Sequence, residues 1–210
     1  MTVYLLPLSD LPFSECELLL PFVSPERRER IGRMKNDGMK RLSLYAGLLA
    51  RMAVSVYSGV PAAELSFAVT GKGKPYCLSA VCRFSLSHTP GMVVCAVSSS
   101  DVGADAERIR PMPERVVSRF AAGERDFILG GADRGERFFR VWTRKEAYGK
   151  YLGVGLAGGV LRENTLSPDF SRICHTFRYG VHICSVYGED NKSIMFAEIN
   201  EETVNEFYTD

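Results

Sequence analysis

The stretch VGADAER, Val102 to Arg108, sets small and apolar residues around two carboxylates, Asp105 and Glu107, two positions apart. On an extended strand, side chains two apart share a face, so these acids would stand about 7 Å from each other along the backbone. At an effective dielectric near 20, two unit charges that close repel by roughly 2 kcal/mol before any desolvation cost. A fold containing this strand has two ways out. It can leave both acids facing water on an edge strand, where the repulsion falls below about 1 kcal/mol, or it can bring a cation to them. Alone, the stretch leans toward the edge strand, and the rest of the sequence has to decide.

A chain of 210 residues can form one large domain or two halves, and either can bury a substantial core. With 46% apolar residues, 24% charged residues and a net charge of +1, nothing global calls for nucleic acid or a membrane, so any charged function must be local. There is no run of eighteen apolar residues, and MTVYLLPLSD lacks the basic start and apolar core of a signal peptide, which points to a cytoplasmic chain. Cys16, Cys77, Cys82, Cys95, Cys174 and Cys184 form no CxxC pair and sit mostly among apolar neighbours. That usage predicts buried, reduced thiols rather than disulfides or zinc ligands.

From Ser24 to Tyr57 the pattern is helical, with Ser24 as cap, Pro25 in the first turn and a break at Asn36-Asp37-Gly38. The first of these two helices carries Arg27, Arg28, Arg30, Arg33 and Lys35 against Glu26 and Glu29; a solvated face is the ordinary explanation of such a run. GKGKPY, Gly71 to Tyr76, is a tight loop. Val93–Ser98 and Val102–Glu107 read as neighbouring strands joined by a polar turn. Helical patterns return in PERVVSRFAAGERDFIL and, after Gly130-Gly131, in RGERFFRVWTRKEAYGKYL. The tail, RICHTFRYG, VHICSVYGED and KSIMFAEIN, alternates at period two and predicts an antiparallel meander with turns at Gly180 and Gly188–Asn191. Mixed but not strictly alternating elements predict an α+β fold.

On a helix, Trp142, Glu146 and Lys150 fall at i, i+4 and i+8, so Trp142 can anchor the face while Glu146 and Lys150 project from it. Such a Glu-to-Lys pair is also an ordinary helix stabiliser worth roughly 0.2–0.5 kcal/mol. GVGLAG spells GxGxxG, but a predicted helix precedes it where the dinucleotide fingerprint needs a strand, and GKGKPY is no Walker loop. No GxSxG elbow accompanies His88, and His175 and His182 read as packing or surface residues of the tail.

GKGKPY, FSLSHT, VGADAE and WTRKEAYGKYLGVGL, in that order and spacing, together with the basic SPERRER helix, resemble the 4'-phosphopantetheinyl transferases of the surfactin-synthetase-activating type. The resemblance runs from about Ser24 to Leu156. It implies a pseudo-twofold pair of α/β halves, 1–101 and 102–210, with coenzyme A bound between them and the metal site at the junction. It also implies transfer of the phosphopantetheine arm of coenzyme A to a serine of an apo acyl or peptidyl carrier protein, by a monomer that binds neither nucleic acid nor membrane.

By the same resemblance, Asp105, Glu107 and Glu146 converge on one Mg²⁺, with Mn²⁺ as a substitute, and Mg²⁺ does prefer hard oxygen ligands shared with phosphates and water. Glu146 would serve as general base, directly or through water, and Lys150 would meet the diphosphate. Lys74, Pro75, Ser87 and His88 match the coenzyme side of the pocket, Arg27 and Arg30 the 3'-phosphate contacts, and Arg41 another nucleotide contact. The segment Arg110–Glu124 resembles the part that meets the carrier, and its apolar members read equally well as core. The strand carries Ala104 and Ala106 where the family often has bulky aliphatics, and Gly149, where a larger residue is usual, weakens the helix by roughly 1 kcal/mol relative to Ala. The same groups would also suit a Mg²⁺-dependent hydrolase of coenzyme A or a nucleotide, and the same fold a non-catalytic carrier-binding protein.

Overall fold

The computed structural model describes residues 1–189 and 193–209. Its first sheet has the order β4-β5-β1-β9, built from β1 (Thr2–Pro7), β4 (Arg83–Thr89), β5 (Met92–Ser98) and β9 (Met195–Glu198). The second, β6-β8-β7, comprises β6 (Gly103–Arg108), β7 (Cys174–Tyr179) and β8 (His182–Tyr187). A small hairpin, β2 (Phe67–Val69) and β3 (Pro75–Cys77), carries the GKGKPY turn, closed by Thr70 N–H donating to Lys74 O (2.9 Å).

Alternation along the strands sorts side chains into layers. Val3, Leu5, Met92, Val94 and Ala96 of the first sheet meet Ala104, Ala106, Cys184 and Val186 of the second, so the two sheets pack face to face. The opposite residues of the first sheet, Tyr4, Leu6, Val93, Cys95 and Val97, receive α2 (Asp37–Ser58). The far face of the second sheet receives α5 (Arg134–Leu152), which lies across β6 and β8. All six cysteines are buried in these layers. The mixed architecture agrees with the α+β expectation.

Helix starts follow their caps. Ser24 Oγ accepts from Arg27 N–H at the head of α1 (Pro25–Gly32), and Asn36 Oδ1 accepts from Met39 N–H (2.9 Å) at the head of α2. The predicted helix after Pro113 is broken into α3 (Glu114–Val117) and α4 (Ala122–Leu129). There Glu124 turns back to accept from Ala121 N–H (3.1 Å), which starts a new helix in place of continuing the old one.

Two strand expectations need correction. β5 and β6 follow one another in sequence but belong to different sheets, and the connection between them carries the chain from one layer to the other. The tail forms the expected β7–β8 hairpin at Gly180, but its third strand leaves the meander: β9 pairs in parallel with β1, Thr2 opposite Met195. After it, α7 (Glu201–Thr209) packs on α2. Period two marks a strand without naming its partner, which is why the sequence missed this. Of the predicted Gly188–Asn191 turn, Asp190 and Asn191 lie outside the described residues.

The sheets are joined along both edges. On one side β4 offers a row of hydroxyls to β6: Ser85 Oγ accepts from Ala104 N–H (2.9 Å), Ser87 Oγ donates to Asp105 Oδ1 (2.8 Å) and Thr89 Oγ1 accepts from Arg108 N–H (3.3 Å). On the other, Phe196 of β9 lies against Phe177 of β7 with ring centres 5.0 Å apart, and Tyr179 O–H donates to Glu198 Oε1.

Gly103 sets how closely α5 approaches. A Cβ there would stand 1.8 Å from Ala147 O and 2.6 Å from Tyr151 N, so any side chain would wedge the helix off the strand. Gly149 has a comparable duty: its carbonyl accepts from Val154 N–H (3.0 Å) and Gly155 N–H (3.2 Å), and a Cβ would sit 2.2 Å from Gly155 O. Its helix-weakening cost is offset by this fold-back of the following loop. Gly103→Ala should lower stability by about 3 kcal/mol or more in urea denaturation, because overpacking against backbone cannot be relieved by a rotamer change. A loss below about 1 kcal/mol would show that α5 shifts freely.

Candidate active site

Asp105 and Glu107 occupy the α5-facing side of β6, since the intervening Ala104 and Ala106 point into the layer between the sheets. Asp105 is 5% exposed. Its Oδ1 accepts from Ser87 Oγ (2.8 Å) and from Lys150 Nζ (2.7 Å), while its Oδ2 is buried with no hydrogen-bond partner among the described residues. Glu107 Oε1 accepts from Trp142 Nε1 (3.2 Å) and its Oε2 from Arg110 (2.8 Å).

Glu146 faces these two acids from α5. Burial first, then the charges of Asp105 and Glu107, push its carboxyl up to about 7 against the opposing pull of Lys150. Mutual repulsion of the kind expected from the sequence is therefore present, and a cation answers it, in the form of Lys150. Lys150 Nζ also donates to Ala104 O (3.1 Å) and Leu86 O (3.5 Å), so it spans β4 and β6 as well as neutralising Asp105. Trp142 both anchors the helix, stacked on Phe138, and orients Glu107.

A polar row continues from Asp105 across the second sheet. Ser185 and Thr176 lie in register with it, their hydroxyls 2.9 Å apart, and Thr143 of α5 contacts Ser185 at 2.8 Å. This row, with Arg144 donating to Thr176 Oγ1 (3.1 Å) and to Thr165 O, fixes the rotation of α5 and hence the direction of Glu146.

Ser87 and His88, adjacent on β4, point to opposite sides: Ser87 to Asp105, His88 toward the basic helix. Burial, then Arg27 and Lys150, hold the His88 imidazole below the usual histidine value. Arg27 lies flat on α2, where only Gly47 leaves room for it, and donates to Ser43 O (2.9 Å). Burial, then the charge of Arg30, lowers its guanidinium to about 10. Arg30 is exposed. Lys74 Nζ donates to Tyr151 O (3.0 Å) at the end of α5, and with Pro75, Leu86 and Lys150 it lines a recess of about 270 Å³.

Arg41 stands apart from this group. It is buried and spends its donors on Glu201, Ser9 and Pro12 O, tying α7 and the loop after β1 to α2. The sequence did not reveal Ser43, whose hydroxyl is buried without a partner beside Arg27, nor Arg110 as the counter-ion of Glu107. A lone serine within LSLYAG was the available signal for the first.

Among the described residues no three His, Cys, Asp or Glu side chains are close enough to cage a metal by themselves. The donor set nevertheless fits a hard divalent cation that takes one or two carboxylates and completes its shell from phosphate and water, because Asp105 Oδ2 is an orphaned buried oxygen and Glu146 faces it.

Comparison with known families agrees with this geometry. The model of the 4'-phosphopantetheinyl transferase superfamily matches residues 101–198, and that of the N-terminal 4'-phosphopantetheinyl transferase domain matches residues 12–100. The chain is 33% identical to 4'-phosphopantetheinyl transferase psf-1 of Bacillus pumilus over 70% of its length and 64% of that protein's. It is 29% identical to 4'-phosphopantetheinyl transferase Sfp of Bacillus subtilis (70% and 69%), and 30% identical to 4'-phosphopantetheinyl transferase HetI of Nostoc sp. (76% and 71%). The chain belongs to the 4'-phosphopantetheinyl transferase superfamily. Its relatives are of the Sfp-like type, and the match spans about two thirds of their length.

The raised Glu146 carboxyl has a stability consequence. As pH rises from 4.5 toward 7 the unfolded chain releases this proton first, so the native state loses the stability that Glu146 supplied when neutral in both states. In metal-free buffer, the stability of Glu146→Gln relative to the parent should therefore rise by about 2 kcal/mol between pH 5 and pH 8 in chemical denaturation. A difference independent of pH would place Glu146 in water, away from the other acids.

Proposed function

We propose that the protein transfers the 4'-phosphopantetheine arm of coenzyme A to a serine hydroxyl of an apo acyl or peptidyl carrier protein, releasing adenosine 3',5'-bisphosphate. The observation that carries this reading is the gathering of Asp105, Glu107, Glu146 and Lys150 on facing elements, with His88, Arg27 and Arg30 along one side. The family relation supports the same conclusion.

Asp105, Glu146 and, beside them, Glu107 would hold Mg²⁺, which when bound supplies charge neutralisation at the diphosphate. Glu146 takes the serine proton, directly or through one water, as the serine oxygen bonds to the phosphorus that bears the pantetheine arm and the bond to the adenosine bisphosphate oxygen breaks. Lys150, paired with Asp105 in the free protein, would also serve the diphosphate oxygens. Arg30 and Arg27 receive the 3'-phosphate, and Lys74, Pro75, Ser87 and His88 line the coenzyme side.

In this reading the two halves of a pseudo-twofold pair divide near residue 101, α2 with β1, β4 and β5 in one and α5 with β6, β7 and β8 in the other, with coenzyme A between them, while β9 and α7 of the second half return to the first sheet and α2. Exposed Arg115 and Arg119, with Arg125 and Arg162 around a recess of about 600 Å³ that Arg119 also lines, suit an acidic carrier helix.

Incubation with coenzyme A, Mg²⁺ and a panel of apo-carriers should add one phosphopantetheine mass per carrier serine, and Asp105→Asn should remove most of that activity. Lys150→Ala should lower turnover by roughly 10²-fold, far beyond the loss of a helix pair. Release of phosphopantetheine without any carrier would favour the hydrolase instead, and unchanged carriers across the panel would defeat the transferase.

Arg30→Gln should weaken coenzyme A by roughly 1.5–3 kcal/mol and dephospho-coenzyme A hardly at all, since only the former offers the 3'-phosphate to a charge-assisted bond. Equal losses in calorimetry would assign Arg30 to the general field of the basic helix.

A further inference from the structure

Glu107 is held on both oxygens. Trp142 Nε1 donates to Oε1 at 3.2 Å and Arg110 donates to Oε2 at 2.8 Å. Arg110 is itself fixed, donating to Arg108 O (3.1 Å) and lying over the Phe139 ring with its guanidinium carbon 4.7 Å from the centroid. Asp105 is meanwhile bonded to Lys150 Nζ at 2.7 Å. Two of the three carboxylates thus already carry a cation of the chain's own, and both cations are held by further contacts to the backbone.

We propose that Arg110 is a charge-setting residue of this site. By neutralising Glu107 while Lys150 neutralises Asp105, it keeps the protein alone from retaining a divalent cation, so that the cation enters already bound to the diphosphate of the nucleotide substrate. The inference rests on the metal-dependent transferase reading above. Its physical basis is Coulomb's law. A divalent ion among these acids meets two positive charges of the chain at short range, and the added negative charge of a diphosphate is what tips the balance. Lys150 can swing to the diphosphate when the ion arrives, whereas Arg110 remains on Phe139 and Glu107 and so sets the standing charge.

The test is the affinity for Mn²⁺, read by the EPR signal of the free ion at low ionic strength, for the protein alone and for the protein saturated with coenzyme A. The parent alone should bind Mn²⁺ at least roughly tenfold more weakly than with coenzyme A. Arg110→Gln should tighten binding to the protein alone by roughly three- to tenfold, an effect that shrinks as salt is added because this arginine is half exposed. Arg110→Lys, which keeps the charge, should restore the parent value. Mn²⁺ held equally well without coenzyme A, or an Arg110→Gln variant that binds it unchanged or more weakly, overturns the inference while leaving a metal-dependent transferase intact. Absence of Mn²⁺ binding in every state, with carriers unmodified, overturns the transferase reading and the inference together.

Discussion

The site depends on a contact between two backbones. Because residue 103 has no side chain, α5 rests on β6 with Ala147 O where a Cβ would otherwise be. That approach brings Glu146 into the field of Asp105 and Glu107 and lets Lys150 reach across to Asp105 and Leu86 O. A helix displaced outward by even one methyl group would leave Asp105 buried without its cation, a costlier state than either a paired or a hydrated carboxylate. The hydroxyl row of β4 works to the same end. Ser85 and Thr89 accept from the edge N–H groups of β6 without a ladder and Ser87 donates to Asp105, so the two sheets can stay separate layers and still share an acid.

Much of this was legible in the sequence, for identifiable reasons. The i, i+4, i+8 spacing of Trp142, Glu146 and Lys150 put them on one helical face, and the alternation in GADAER put both acids on one strand face; such local periodicities survive whatever the tertiary arrangement. Ser24 and Asn36 showed where α1 and α2 begin because capping is a contact within three residues.

What failed to show was long-range. Nothing in KSIMFAEIN says that its partner is β1, and nothing in MKRLSLYAGL separates Arg41, which is bound to Glu201, from an arginine waiting for a ligand. Arg110 was hidden for a different reason. Its partner Glu107 lies only three residues away, but the pairing has meaning only once Trp142, from another element, has claimed the other oxygen.

The parallel pairing of β9 with β1 bears on how the chain is made. β1 is covered on one side by β5, but its other edge waits for β9, which lies far along the chain from it. Until β9 has been made, the first layer therefore carries an open edge beside Val3 and Leu5, the feature through which nascent chains pair with the wrong neighbour. Closing that edge also docks α7 and gives Arg41 its carboxylate, so completion of the first layer is deferred until the second has been made.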